Sequence, residues 1–236
     1  MSAENHWNQI YSNNPTRIPN ENDPMLLTAI QYFGDITGKK LLDLGCGDGR
    51  SSLFFAKRGA HVTAIDTSEV AIQNLSQFCL ENNISNITPV QCSAFDISDL
   101  EPFDFAFGNM ILHHLEPFET FAQVLRQSIT PSGKAYFREN SSFSNLLVWC
   151  RNNLVGKYGI PKLGDDEEFP LTPAEVDIIR QYFSVNIVYP ELLFFRLISQ
   201  YLLKGNLSQV TKKIDDYLFR FEGVRKYSYR QNLFLS

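Results

Sequence analysis

The chain has too few cysteines, too far apart, for a disulfide framework. Cys46, Cys79, Cys92 and Cys150 are widely separated and no Cys-x-x-Cys pair occurs. The first 30 residues lack the charged-then-apolar pattern of a secretory signal, so a reducing, cytoplasmic location is expected. No metal site is expected, because the only closely spaced soft ligands are the adjacent His113 and His114, which cannot easily share one ion. No apolar run reaches the roughly 18 residues of a membrane span, so no integral membrane segment is expected. Basic charge is also short: 21 Lys and Arg face 26 Asp and Glu, a net charge of -5. A nucleic-acid partner is therefore not expected, since phosphate-backbone binders carry a basic surplus.

What is present is enough apolar material for a sizeable core. With 44% hydrophobic and 20% charged residues in 236, the composition excludes a disordered or linker-dominated chain. The length suits a single domain over residues 1–236, with a helical insertion at about 191–223. From residue 40, short apolar runs alternate with helix-like stretches. Lys40 to Leu44, His61 to Ile65, Ile87 to Gln91, Phe103 to Gly108, Lys134 to Arg138, Ser184 to Val188 and Tyr227 to Leu235 read as strands. Ala71, Leu75, Phe78 and Cys79, then Phe118, Phe121, Ala122 and Leu125, keep helical spacing between them. That alternation predicts an α/β protein with a mainly parallel sheet. Pro131-Ser132-Gly133 reads as the turn into the fifth strand. Thr172-Pro173-Ala174-Glu175 carries the signature of a helix start, with a capping Thr, a first-turn Pro and a Glu three residues on. The acidic run Asp165 to Glu168 reads as a solvated loop or, alternatively, a cation site.

The first strand runs directly into Asp43-Leu44-Gly45-Cys46-Gly47-Asp48-Gly49. Alternating glycines permit a tight turn and close backbone approach by a ligand. Asp66, 21 positions beyond Gly45 at the end of the next strand, is placed to accept the hydroxyl protons of a ribose. A dinucleotide fingerprint has the spacing GxGxxG, whereas this loop reads GxGxG. Asp43, two residues before the first glycine, would repel a pyrophosphate and suits a cationic ligand such as S-adenosylmethionine.

These residues resemble the class I S-adenosylmethionine-dependent methyltransferases over about residues 40 to 140. The resemblance implies a Rossmann-like seven-stranded sheet, mostly parallel with an antiparallel last strand and helices on both faces. It implies S-adenosyl-L-methionine as cofactor, with Gly45, Cys46 and Gly47 under its methionine and ribose parts, Asp43 near the methionine end, Asp66 on the ribose and Thr67 beside the adenine. Cys92-Ser93-Ala94-Phe95 falls where many members have Gly-Asp-Ala, so Ser93 replaces the acid that contacts the adenine amino group. Asn109 matches the end of the fourth strand, beside the methionine. His6-Trp7-Asn8-Gln9-Ile10-Tyr11 is similar to an element that folds over the cofactor in small-molecule members, which would bring Tyr11 to the site. The spacing of Trp7, Ile10 and Tyr11 equally fits a helix pinned to the core. Arg17 is placed either to pair with the cofactor carboxylate or to sit in solvent.

Methyl transfer gains most from holding the reactants at near-attack geometry, with a general base useful for a hydroxyl acceptor. His113 and His114 follow the fourth strand and are candidates for that base, or form a structural turn; Glu139 and Asn140, at the end of the fifth strand, are candidates for orienting the acceptor. The expected partner is a small, partly hydrophobic acceptor methylated on oxygen or nitrogen, by a monomer or homodimer. A peptide or protein methyltransferase, an NAD-dependent oxidoreductase and a non-enzymatic cofactor-binding module are the alternatives. Nine of the twelve residues from Leu192 to Leu203 are hydrophobic, with Arg196, Ser199 and Gln200 as a polar stripe. They are expected to form a lid over the acceptor, a dimer or packing element, or a membrane-surface anchor. The next stretch, with Leu207, Val210, Ile214, Leu218 and Phe221 on one face, reads as an ordinary surface helix.

Overall fold

A computed structural model describes residues 3–157 and 169–236. The acidic run Asp165 to Glu168 lies outside the described residues. Seven strands, β1 (Lys40–Leu44), β2 (His61–Asp66), β3 (Ile87–Gln91), β4 (Phe103–Asn109), β5 (Ile129–Asn140), β6 (Val185–Val188) and β7 (Arg230–Leu235), form one sheet in the order β3-β2-β1-β4-β5-β7-β6. β7 runs antiparallel to both of its neighbours, and so opposite to the other six strands. Helices α1 (Ala3–Ser12), α2 (Pro24–Phe33), α3 (Arg50–Ala56), α4 (Glu69–Glu81), α5 (Phe118–Ser128), α6 (Asn145–Leu154), α7 (Pro173–Ile179), α8 (Phe195–Leu203), α9 (Ser208–Leu218) and α10 (Glu222–Arg225) complete the described elements.

Both sheet faces are covered because the central strands β1 and β4 are apolar on both sides, as buried parallel strands require. On one face Phe33, Phe54, Phe55 and Leu75 pack on Leu41, Phe107 and Tyr136. On the other, Phe121, Leu125, Val176 and Ile179 pack on Leu42, Leu44, Phe137 and Leu233. The capping box at Thr172 is present with both reciprocal hydrogen bonds.

Two strand boundaries differ from the sequence pattern. β5 begins at Ile129, not Lys134, because Ile129 already pairs with Phe103 while Lys134 pairs with Phe105. The residues between them loop out of the sheet, and a Cβ on Gly133 would stand 2.8 Å from the Asp104 carbonyl oxygen, so the turn chemistry sits inside the strand. β7 begins at Arg230, not Tyr227, because the Tyr227 and Ser228 amides continue the turn after α10 by donating to Val224 and Arg225 carbonyls.

The inserted helices leave the sheet at a determined edge. β6 runs parallel to β1 and β7 antiparallel, so their connection emerges where β1, β2, β4 and β5 also end. There α8 packs on α6 through Leu147, Leu193 and Tyr229, backed by Phe194, Leu197 and Ile198.

α9 departs from the ordinary surface helix read from its spacing. Val210, Ile214 and Phe221 are 55%, 40% and 52% exposed, and the buried residue is Asp215. Its carboxylate accepts the amides of Phe194, Phe195 and Arg196 at 3.2, 2.9 and 2.9 Å. Three orphan donors at the start of α8 outweigh the apolar face, which turns outward. Asp215→Ala is therefore expected to destabilise the protein by about 1.5 to 3 kcal/mol. Ile214→Ala should cost under about 0.5 kcal/mol. Urea denaturation of the two variants checks the order; a larger loss at Ile214 would contradict it.

Candidate functional site

The glycine-rich loop closes the end of β1 because three of its residues adopt left-handed backbone: Gly45, Gly47 and Gly49 have φ of 68°, 50° and 76°. Side chains are also excluded by space, since a Cβ on Gly47 would lie 2.5 Å from the Tyr11 hydroxyl oxygen. Asp66 ties this loop to α4: its Oδ2 accepts the Gly47 amide at 3.0 Å and its Oδ1 the Ser68 amide at 2.9 Å. Burial raises its carboxyl above the usual range, opposed by these backbone hydrogen bonds.

Above the carboxyl ends of β1, β2 and β4 lies a cavity of about 660 Å³, within the size range of small-molecule cofactor sites. Of the residues expected from the sequence, Gly45, Asp66 and Thr67 line it from β1 and β2. Ser93, Ala94 and Phe95 line it after β3, Asn109, His113 and His114 after β4, and Tyr11 from α1. Asp43, Cys46, Gly47 and Glu139 are not among the lining residues.

Asp43 is 1% exposed and accepts the Ser51 and Ser52 hydroxyls at 2.7 and 2.5 Å, fastening α3 to β1. Burial pushes its carboxyl up from 3.8 to about 6, against the pull of the Ser52 and Ser51 hydrogen bonds. A pKa raised in the folded state means that the native protein binds the extra proton between those two values. Stability of the cofactor-free protein therefore falls as pH rises from about 4 to about 6, by roughly 3 kcal/mol from this group, and stays lower above that range. Asp43→Asn is expected to flatten this dependence and to be more stable than the parent at neutral pH. Denaturation midpoints across that window test it, and an unchanged slope would refute it.

Cys46 is buried, and that burial, with Asp43 nearby, holds its thiol well above its ordinary pKa, so it serves packing and not nucleophilic chemistry. Arg17 is exposed, with Nη2 donating to Asn14 Oδ1 at 3.0 Å, and does not line the cavity.

α1 roofs the site. Asn8 Oδ1 accepts the Ser68 hydroxyl at 2.7 Å and Asn74 donates to the Tyr11 carbonyl at 3.0 Å, docking the helix on α4. Trp7 stacks on Tyr11 and meets His114 edge-on, with ring centres 6.0 and 5.7 Å apart. Burial, and then the Asp66 charge, raise the Tyr11 phenol, keeping it protonated.

Glu139 is fully buried beneath the turn that follows β4. Its Oε1 accepts the Ile111 and Leu112 amides, both at 2.8 Å, and its Oε2 meets His113 Nδ1 at 2.7 Å. This carboxylate thus shapes the wall that carries His113. Met110, just before that turn, lines the cavity with a φ of 57°, a strained value for a non-glycine residue, and donates its amide to the Arg138 carbonyl at 2.9 Å. Met110 and Ile111 line the cavity behind Asn109, as the resemblance implies, whereas Glu116 was not in the expected set and no local motif marks it.

A doubly wound sheet with a nucleoside-sized cavity at its carboxyl edge defines a Rossmann-like nucleotide-cofactor protein. The lining decides which kind. Among the described residues no Lys or Arg lines the cavity, whereas Asp66 and Glu116 do, so it suits a cationic nucleoside and gives a pyrophosphate no counter-charge.

Residues 41–133 match the family described as a methyltransferase domain. Over 185 residues the chain is 24% identical to a ubiquinone biosynthesis O-methyltransferase of Neisseria meningitidis, covering 75% of this chain and 76% of that one. It is 31% identical over 161 residues to the protein of the same name from Idiomarina loihiensis, covering 65% of each. The fold is shared with a putative sarcosine dimethylglycine methyltransferase from Galdieria sulphuraria, at a TM-score of 0.61 and 11% identity, over 98% of this chain and 97% of that one. The family match and these relatives support a class I S-adenosylmethionine-dependent methyltransferase with S-adenosylmethionine as its cofactor. No described helix is long and apolar enough to cross a membrane.

Proposed function

We propose that this enzyme methylates a hydroxyl oxygen of a small, partly hydrophobic molecule in the cytoplasm, with a nitrogen acceptor as the second reading. One observation carries the preference for oxygen: His113, on the cavity wall, has its Nδ1 held by the buried Glu139 carboxylate. An Nδ1–H donated to Glu139 makes Nε2 the basic nitrogen, the arrangement that a hydroxyl acceptor needs and a neutral amine does not. The names of the relatives from Neisseria and Idiomarina agree with an oxygen acceptor.

When bound, S-adenosylmethionine supplies an activated methyl group on a sulfonium. Asp66 would hold its ribose hydroxyls, Phe95 and Ser93 would flank the adenine, and Asn109 and Gly45 would border the methionine. Trp7 and Tyr11 on α1 exclude water from above. His113 Nε2 takes the acceptor's hydroxyl proton as the new bond to oxygen forms and the sulfonium carbon–sulfur bond breaks; His114, tilted against it with ring centres 4.1 Å apart, is the alternative base.

The test is calorimetry with S-adenosylhomocysteine, followed by labelled methyl transfer to matched phenols and anilines. Binding together with turnover of phenols is expected. Turnover confined to anilines would replace the first reading by the second, and tight binding with transfer to neither would reject both.

A further inference from the structure

Among the described residues, eight buried side-chain polar atoms have no hydrogen-bond partner, and five of them belong to Tyr136, Arg138, Asn140, Arg230 and Asn232 on β5 and β7. The sheet register gathers these five on one face. Asn109 on β4 pairs with Arg138, which pairs with Asn232, and two residues further along Asn140 pairs with Arg230. Paired residues on neighbouring strands project to the same side, as do residues two apart on one strand. Arg138 therefore stands directly beside Asn109, which lines the cofactor cavity, while the four polar residues from Arg138 to Asn232 lie beyond its lining.

Two guanidinium groups side by side in a part-buried place repel each other. The Arg230 pKa is lowered by burial and then by Arg138. The nearby acid, Glu191, is engaged by Arg196 at 3.1 Å. Among the described residues neither Arg138 nor Arg230 has an ion-pair partner, and Nε of each is buried without an acceptor. Asn232, 5% exposed, presents an Oδ1 that lacks a donor, as does Asn140. Buried charges kept without partners are costly, and orphaned buried polar atoms call for a ligand or ordered water.

We propose that Arg138 and Arg230, with Asn140 and Asn232, form the acceptor subsite of this methyltransferase and bind the carboxylate of an acidic acceptor. The guanidinium forks match a carboxylate's two oxygens. The two Asn oxygens match a hydroxyl or amine on the same molecule. This deepens the methyl-transfer reading above and rests on it.

The test compares binding of 4-hydroxyphenylacetate and its neutral analogue 4-hydroxyphenylacetamide, by calorimetry, with and without saturating S-adenosylhomocysteine. The acid should bind at least about tenfold more tightly than the amide. In the Arg138→Gln, Arg230→Gln double variant that preference should fall below about twofold, with S-adenosylhomocysteine affinity retained. Arg138→Lys keeps the charge and the stem but loses Nε, and should cut the preference at least threefold, so the proposal remains testable if the double variant folds poorly. Equal binding of acid and amide by the parent, or a preference that survives the double variant, would overturn the proposal. A loss of S-adenosylhomocysteine affinity with the acid preference intact would also overturn it, assigning the pair to the cofactor's own carboxylate. Failure of the parent to bind S-adenosylhomocysteine would instead strike at the methyl-transfer reading, because the acid preference is read without it as well.

Discussion

Replacing Asp66 by alanine is expected to weaken S-adenosylhomocysteine binding at least about 100-fold, or roughly 3 kcal/mol. One carboxylate does two things here. It accepts the Gly47 and Ser68 amides, which sets the glycine loop against α4, and it faces the cavity where a ribose would present its hydroxyls. Alanine removes both the ligand contacts and the fixed position of the loop. Asn keeps an acceptor oxygen without the charge, so Asp66→Asn should lose only about tenfold. Calorimetry on variants whose circular dichroism matches the parent separates the two. Parental affinity in Asp66→Ala would mean that the cavity holds its nucleoside elsewhere.

The second large effect belongs to Glu139→Gln. The carboxylate is fully buried and accepts three donors, so one of its oxygens cannot become an NH2 without conflict. If the amide nitrogen faces the backbone, it opposes the Ile111 and Leu112 N–H groups. If it faces the ring, it donates to His113 Nδ1 and moves the ring proton to Nε2, removing the base. The expected result is a fall in kcat of about 10²- to 10³-fold for a hydroxyl acceptor. KM for the cofactor should be nearly unchanged and stability should fall by about 1 to 3 kcal/mol. A purely structural role would lower stability and leave the pH–rate profile intact, whereas loss of its acidic limb, where the base loses its proton, marks a positioning role. An unaltered profile and kcat would remove Glu139 and His113 from the proposed chemistry.

Much of this site is legible in the sequence because its chemistry is local. The glycine loop and its three left-handed turns are written in seven consecutive residues, and Asp66 follows at the end of the next strand. Trp7 and Tyr11, read as either a cofactor cover or a pinned helix, line the cavity from a helix that Asn8 and Asn74 fasten to α4. Glu139 was visible only as an acid at a strand end. Its grip on residues 26 to 28 positions earlier depends on β4 and β5 lying side by side.

The sequence by itself determined the alternation of strands and helices, the nucleoside loop and the preference for a cationic cofactor, since each depends on residue type within one or two adjacent elements. Only the tertiary structure decided which side chains share a face across strands distant in the chain. Asp43 went to the Ser51 and Ser52 hydroxyls rather than the cavity wall, α9 turned its apolar side outward because Asp215 was needed at the start of α8, and Arg138 came to stand beside Arg230. Those outcomes depend on which buried donors and charges must be satisfied once the sheet has formed. No periodicity within a single segment encodes that requirement.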